Sequence, residues 1–216
     1  RSPATLPLWR LAVPRTYFLD GLEAPVDQAF ERTLKLLRQH GAQIEEIDLP
    51  ETAELVPLQA KGNLSMAESY GWHRELLAAK GALYDPRVRH RIELGTRMDV
   101  ADYLQLLRKR QDWIARMEAA IAAYDALLSP TVPILAPTIA SVAPGEERDA
   151  AFFQANALLL RNPSAVNFLD GCALSLPCHQ QGELPVGLMV WHGALRDDAV
   201  LAISEQIESA LSKAEL

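Results

Sequence analysis

Three segments decide the fold: Trp9-Arg10-Leu11-Ala12-Val13-Pro14, then Pro25-Val26-Asp27-Gln28-Ala29-Phe30-Glu31-Arg32-Thr33-Leu34-Lys35-Leu36-Leu37, then Gln43-Ile44-Glu45-Glu46-Ile47-Asp48-Leu49-Pro50. The first is a short apolar run, and Pro14 stops it because proline cannot donate to a strand ladder. In the second, Val26, Ala29, Phe30, Leu34 and Leu37 recur at helical spacing. Pro25 suits a first turn, and Gly41 lies just past the end. The third places Ile44, Ile47 and Leu49 between acids and predicts another strand, closed by Pro50. Strand, helix and strand within about forty residues is the rhythm of an α/β fold, a sheet covered by helices.

Working outward, Leu55 to Lys80 reads as mostly helical, interrupted by Pro57, Gly62 and Gly71. Asp85-Pro86 precedes a short helix, Val88 to Leu94, that ends at Gly95. Asp99 caps a long helix with a predicted inner stripe of Val100, Leu104, Leu107, Ile114, Met117, Ile121 and Tyr124. Ala126-Leu127-Leu128 reads as a buried strand running into Ser129-Pro130-Thr131-Val132-Pro133, whose prolines force an extended path. Ala136 to Glu147 is predicted to be a loop, and Asp149 to Leu160 a helix leading through Arg161-Asn162-Pro163 toward Asn167 and Gly171. Cys172 to Leu176 and Val186 to Val190 predict adjacent strands. A terminal helix follows with Val200, Ile203, Ile207 and Leu211 inward. No internal repeat is present, and residues 1–216 read as one domain.

Composition narrows the function. The 216 residues are 49% apolar and 23% charged, ordinary values for a globular chain. No run of about eighteen apolar residues occurs, so no membrane span is expected. Arg1-Ser2-Pro3-Ala4-Thr5-Leu6-Pro7 has no apolar core of a leader, and the two cysteines predict no disulfide framework; a cytoplasmic location is the expectation. The net charge of −7 argues against direct nucleic-acid binding. The runs Arg87, Arg89, His90, Arg91 and Arg108-Lys109-Arg110 read as solvated helix faces, as do His40, His73 and His90.

Motifs for chemistry are sparse. G-x-S-x-G, phosphate-cradling glycine loops and H-E-x-x-H do not occur. Cys172, Cys178 and His179 lack the paired spacing of a zinc site, so no metal and no cofactor is expected. A thiolate paired with His179 or His192 is formally possible, but Cys172 opens an apolar strand, where an inert thiol is the usual occupant.

Three segments resemble the carboxyl-terminal half of the amidase-signature family. They are Arg89-His90-Arg91-Ile92-Glu93-Leu94-Gly95-Thr96 with Tyr103 and Arg110; Asp125-Ala126-Leu127-Leu128-Ser129-Pro130-Thr131-Val132-Pro133; and Arg161-Asn162-Pro163, Asn167, Gly171, Ala173-Leu174-Ser175-Leu176-Pro177, Gly182 and Leu184-Pro185-Val186-Gly187-Leu188-Met189, with Asp197 opening the last helix. The resemblance covers the chain from about Trp9 onward. It implies part of an α/β/α sandwich around a mixed sheet. The family's Ser, cis-Ser, Lys triad belongs to its amino-terminal half, and none of Lys35, Lys61, Lys80, Lys109 and Lys213 matches the catalytic lysine. No catalytic residue is therefore expected here. By resemblance Arg91 and Arg161 are candidates for substrate contact, and Thr131 and Asn167 lie in loops near the cleft; an arginine fork suits a carboxylate-bearing amide. Two departures concern the same region: Asn167 to Gly171 is one residue longer than the common spacing, and Ala173 stands where proline is usual.

The implied function is the carboxyl-terminal portion of an amidase acting on a small carboxamide. The alternatives are the A subunit of a glutamyl-tRNA(Gln)/aspartyl-tRNA(Asn) amidotransferase and a non-catalytic stand-alone binding module. A sheet divided between two halves exposes an edge strand, which predicts a homodimer if the chain stands alone.

Overall fold

The computed structural model describes residues 9–214. The stretch read for a leader, residues 1–8, and the side chain of Lys213 lie outside the described residues. In chain order the elements are β1 (Arg10–Pro14), α1 (Ala24–Gln39), β2 (Gln43–Ile47), α2 (Leu55–Leu58), α3 (Leu64–Lys80), α4 (Pro86–Glu93), α5 (Val100–Ile121), β3 (Ala126–Pro130), α6 (Ile139–Val142), α7 (Glu146–Phe168), β4 (Cys172–Pro177), β5 (Gly187–His192) and α8 (Asp197–Ala214). They form two compact units. Ala53–Ala115 makes one, and the segments before and after it make the other.

The larger unit is built on a five-stranded sheet in the order β2-β1-β3-β5-β4. β1 runs parallel to β2 and β3, while β5 is antiparallel to both β3 and β4. The mixed sheet flanked by helices is the α/β architecture that the opening strand-helix-strand predicts. Leu11, Val13, Leu128, Leu188 and Val190 on one sheet face join Val26, Phe30, Leu34 and Leu37 of α1 and Val200, Ile203 and Ile207 of α8 in one buried cluster. Each such side chain contributes about 1.5–3 kcal/mol on burial. The alternate strand positions, Ala12, Leu127, Met189 and Trp191, are buried too, with Phe18 stacked on Trp191 at 4.9 Å between ring centroids. Both faces of the central strands are thus covered, which is why they read as unbroken apolar runs.

The smaller unit contains α2, α3, α4 and the first turns of α5. Its helix starts are capped by side chains, at Asp99 as the sequence predicts. Asn63 accepts from the Met66 N–H, Asp85 from those of Arg87 and Val88, and Asp99 from that of Asp102. At Gly95 a Cβ would lie 2.3 Å from the Met66 carbonyl oxygen and 2.7 Å from the Tyr70 Cβ, so α3 can pack here only against glycine.

Five sequence expectations are corrected. The buried stripe of α5 is Leu106, Trp113, Met117 and Ile121, whereas Val100 and Leu104 are exposed. Apolar residues occupy more than one face of this helix, and the fully buried Trp113 selects the face. The predicted loop from Ala136 contains α6, and α7 begins at Glu146. Helix α7 also runs through Pro163 instead of ending before it. Proline withholds one N–H and crowds the preceding turn, but Arg161 and Asn162 are tied sideways to the rest of the unit and hold the helix in register. Arg87 is buried, so its basic run is not simply a solvated face. His73 is half-buried and hydrogen-bonded through Nδ1 to Tyr84 Oη at 2.8 Å.

Candidate functional site

Parallel pairing sets the carboxyl ends of β1 and β3 side by side, and the chain leaves both ends through proline. After Pro14 the backbone turns back through Tyr17, whose φ of 71° is left-handed. The Tyr17 N–H is held by Asp20 Oδ2 at 3.1 Å, and Phe18 is driven into the core with no exposure. Helix α7 grips this loop. Arg161 donates to the carbonyls of Asp20 (2.5 Å) and Phe18 (3.2 Å), and its guanidinium lies over the Tyr17 ring at 5.8 Å. Tyr17 Oη in turn donates to the Arg161 carbonyl at 3.1 Å. Burial pulls the Arg161 pKa down and pushes that of Tyr17 up. The guanidinium nonetheless stays charged at any working pH.

Asn162 has no solvent exposure, so its amide must be fully partnered. Its Nδ2 donates to Pro130 O at 2.8 Å and Phe18 O at 3.2 Å, and its Oδ1 accepts from Arg161 Nε at 3.1 Å. One side chain joins the ends of β1 and β3 to α7.

Thr131 follows β3 directly. Its N–H donates to the Gly187 carbonyl at 2.8 Å, and its Oγ1 lies 2.6 Å from Ser175 Oγ. The hydroxyl pair spans the start of β5, where a Cβ on Gly187 would stand 2.5 Å from Ser175 Oγ and 2.6 Å from Thr131 Oγ1. Glycine is needed here for approach, not for φ. Ala173, Ser175 and Pro177 leave the outer part of this face open.

The structure therefore brings Thr131 and Arg161 together through Asn162. Arg161 sits within α7, not at its end, and its fork is committed to loop carbonyls. Asn167 lies in the last turn of α7, not in a loop, with its side chain exposed and its carbonyl accepting from the Asp170 N–H at 3.2 Å. Arg91 belongs to the smaller unit, where it lines a cavity of about 260 Å³ with Asn63, Ser65, Met66, Ser69 and Ile92. Its neighbour Arg89, not Arg91, pairs with Glu93 at 2.7 Å.

This arrangement offers groups that can bind and shape a ligand. Among the described residues neither hydroxyl is paired with an amine or imidazole. Burial pushes the Cys178 thiol up to about 11 and raises that of Cys172, which keeps both protonated. Among the described residues no three His, Cys, Asp or Glu side chains converge as metal ligands. Sequence reasoning passed over Tyr17, and it quoted Asn162, Ser175 and Gly187 only within family-like motifs, without giving them a role. The Arg161-Asn162-Pro163 motif was the available signal for Asn162.

Fold and site together define an α/β protein with a hydroxyl-bearing wall, braced from behind by a buried amide, at the carboxyl ends of its parallel strands. The amidase family model matches residues 4–201, and the chain belongs to that family. It is 26% identical over 213 residues to a 2-amino-5-chloromuconic acid deaminase of Comamonas testosteroni, covering 98% of this chain and 45% of that protein. To the A subunit of the glutamyl-tRNA(Gln) amidotransferase of Roseiflexus sp. it is 28% identical, over 91% of this chain and 43% of that one. Among solved structures, an allophanate hydrolase of Kluyveromyces lactis superposes with a TM-score of 0.77 at 23% identity, over 96% of this chain and 33% of that one. The chain thus spans less than half the length of these relatives and aligns with their carboxyl-terminal part. No helix among the described residues is long and apolar enough to cross a membrane.

Proposed function

We propose that the 216 residues act as one carboxyl-terminal portion of an amidase that hydrolyses the carbon-nitrogen bond of a small carboxamide. In this reading the Ser, cis-Ser, Lys set comes from an amino-terminal portion, and this portion supplies a wall of the substrate cleft. Thr131 offers a hydroxyl at the strand end, while Arg161 acts by holding the loop after β1 in place. Arg91 and Asn167 are the further substrate-side candidates.

The observation that carries this reading is the contrast between the two sheet edges. Edge strand β2 bears Glu45 and Glu46, and Glu46 is paired with Arg15 at 2.9 Å. Charge of this kind blunts an edge against pairing. Edge strand β4 bears Ala173, Leu174, Ser175 and Leu176 and no charge. Such an edge is open to pairing with a further strand, which supports the reading of a chain that spans under half of its relatives. Without one, the same edge would pair two copies into a homodimer.

A second reading, the A subunit of an amidotransferase, is favoured by relatives of that name. The test is to isolate the endogenous protein with a tag at Leu216, weigh it and assay ammonia release from carboxamides. A product about twice the 23.9 kDa of this chain, active without partners, is expected. Ammonia release that needs both tRNA and a partner protein would select the amidotransferase. An inactive, monodisperse product near 23.9 kDa would leave a stand-alone binding module.

A further inference from the structure

On the face of the sheet opposite the Thr131–Ser175 pair, α1, the end of α8 and the segment after β4 border an open cavity of about 310 Å³. Its lining divides into two chemistries. Leu36, Pro177 and Leu211 form apolar walls, with the buried Cys178 among them. Arg32, Lys35, Gln39, His179 and Gln180 supply polar groups, nearly all of them donors.

The charge balance inside is positive. Arg32 is held by Glu183 at 2.6 Å, and Glu183 also accepts from the Gln180 N–H at 2.9 Å, so this acid is occupied from two sides. Lys35 pairs with no acid among the described residues. His179 is anchored at Nδ1, 3.4 Å from the Val186 nitrogen and 3.5 Å from the Val186 carbonyl oxygen, so Nε2 is the ring nitrogen left to meet a ligand. One uncompensated cation is therefore left in the cavity of a chain whose net charge is −7.

We propose that this cavity is a binding site for a small organic carboxylate. The carboxylate is held by Lys35 with His179 and Gln39 as donors, and the hydrocarbon part is covered by Leu36, Pro177 and Leu211. The apolar walls favour an organic anion over inorganic phosphate, which would leave them wet. The site stands apart from the amidase reading: it uses none of Thr131, Arg161, Asn167 or Arg91, and it needs no catalytic partner.

The test uses the full 216-residue chain and benzoate, with benzamide as the neutral isostere and inorganic phosphate as the purely ionic probe. Titration calorimetry should give saturable one-to-one binding of benzoate with a Kd of about 1 mM or tighter. Benzamide should bind at least about tenfold more weakly, a loss of one charge-assisted contact. Lys35→Gln and Gln39→Glu, both on the helix surface, should each weaken benzoate by about tenfold or more while circular dichroism and Tm stay unchanged. No saturable benzoate binding, equal binding of benzamide, phosphate binding in place of benzoate, or unchanged affinity in both variants would each overturn the proposal.

Discussion

Asn162 Nδ2 lies 2.8 Å from the carbonyl oxygen of Pro130, in a place with no solvent exposure. The contact joins residues 32 positions apart in sequence and fixes where β3 gives way to Thr131. The amide's second N–H reaches Phe18 O, so the same side chain sets the path of the loop after β1. Shape at this end of the sheet depends on one buried group being fully satisfied.

Asn162→Leu is expected to destabilise the protein by about 2–3 kcal/mol, because it strands the buried Pro130 carbonyl. Asn162→Asp should cost more, since it removes both donors and buries a charge. Urea unfolding at constant m-value measures both. A change under about 0.5 kcal/mol in either variant would show that the amide is not the tie.

Gly187→Ala drives a methyl into the Thr131–Ser175 pair and should cost about 1–3 kcal/mol. Ser175→Ala in the same chain should recover part of that loss, giving a coupling energy above about 0.5 kcal/mol in a double-mutant cycle. Strictly additive effects would mean that the hydroxyl does not crowd position 187.

Gly95→Ala meets backbone at 2.3 Å, not the end of a side chain, so the neighbouring helix must shift. A loss of about 3 kcal/mol or more in the local stability of α3 is expected, seen as faster amide hydrogen exchange from Leu64 to Lys80. Exchange in α3 as slow as in the parent chain would refute the close approach.

His192 gives the pH dependence its sign. Its Nε2 donates to Tyr124 O at 3.2 Å and its Nδ1 accepts the Gly193 N–H at 2.7 Å, an arrangement that only the neutral ring satisfies. Burial lowers its pKa, helped by Arg196, and this outweighs the hydrogen bond to Tyr124 and the nearby Asp125 and Glu118, which act upward. A group whose folded pKa is depressed below the ordinary value near 6.5 binds fewer protons folded than unfolded. Stability is thus complete above that value and falls as the pH drops through it toward the folded pKa. Chemical unfolding from pH 8 down to about 5 should show the decline, and His192→Gln should flatten it. An equal slope in the variant would assign the decline to other groups.

The strand-helix-strand opening is legible because a core helix and its flanking strands carry their burial in local periodicity. Val26, Phe30, Leu34 and Leu37 mark a face that no later contact needed to reveal. The same holds for β3, β4, β5 and α8, and the order of short motifs around Thr131, Arg161 and Gly187 is enough to place the family. Where apolar residues occupy more than one face of a helix, periodicity alone does not choose between them, and so the sequence of α5 reads with Val100 and Leu104 inward.

Local sequence therefore determined the α/β class, most element boundaries, the family and the residues worth watching. Tertiary structure alone decided what those residues do. Pro163 lies inside a helix because side contacts outweigh its local cost, Arg161 is committed to backbone carbonyls of a loop 141 and 143 residues away, and Asn162 is a buried tie. Hydrogen bonds between groups so distant in sequence leave no periodic trace in the chain; they exist only once the sheet has brought the ends of β1 and β3 side by side.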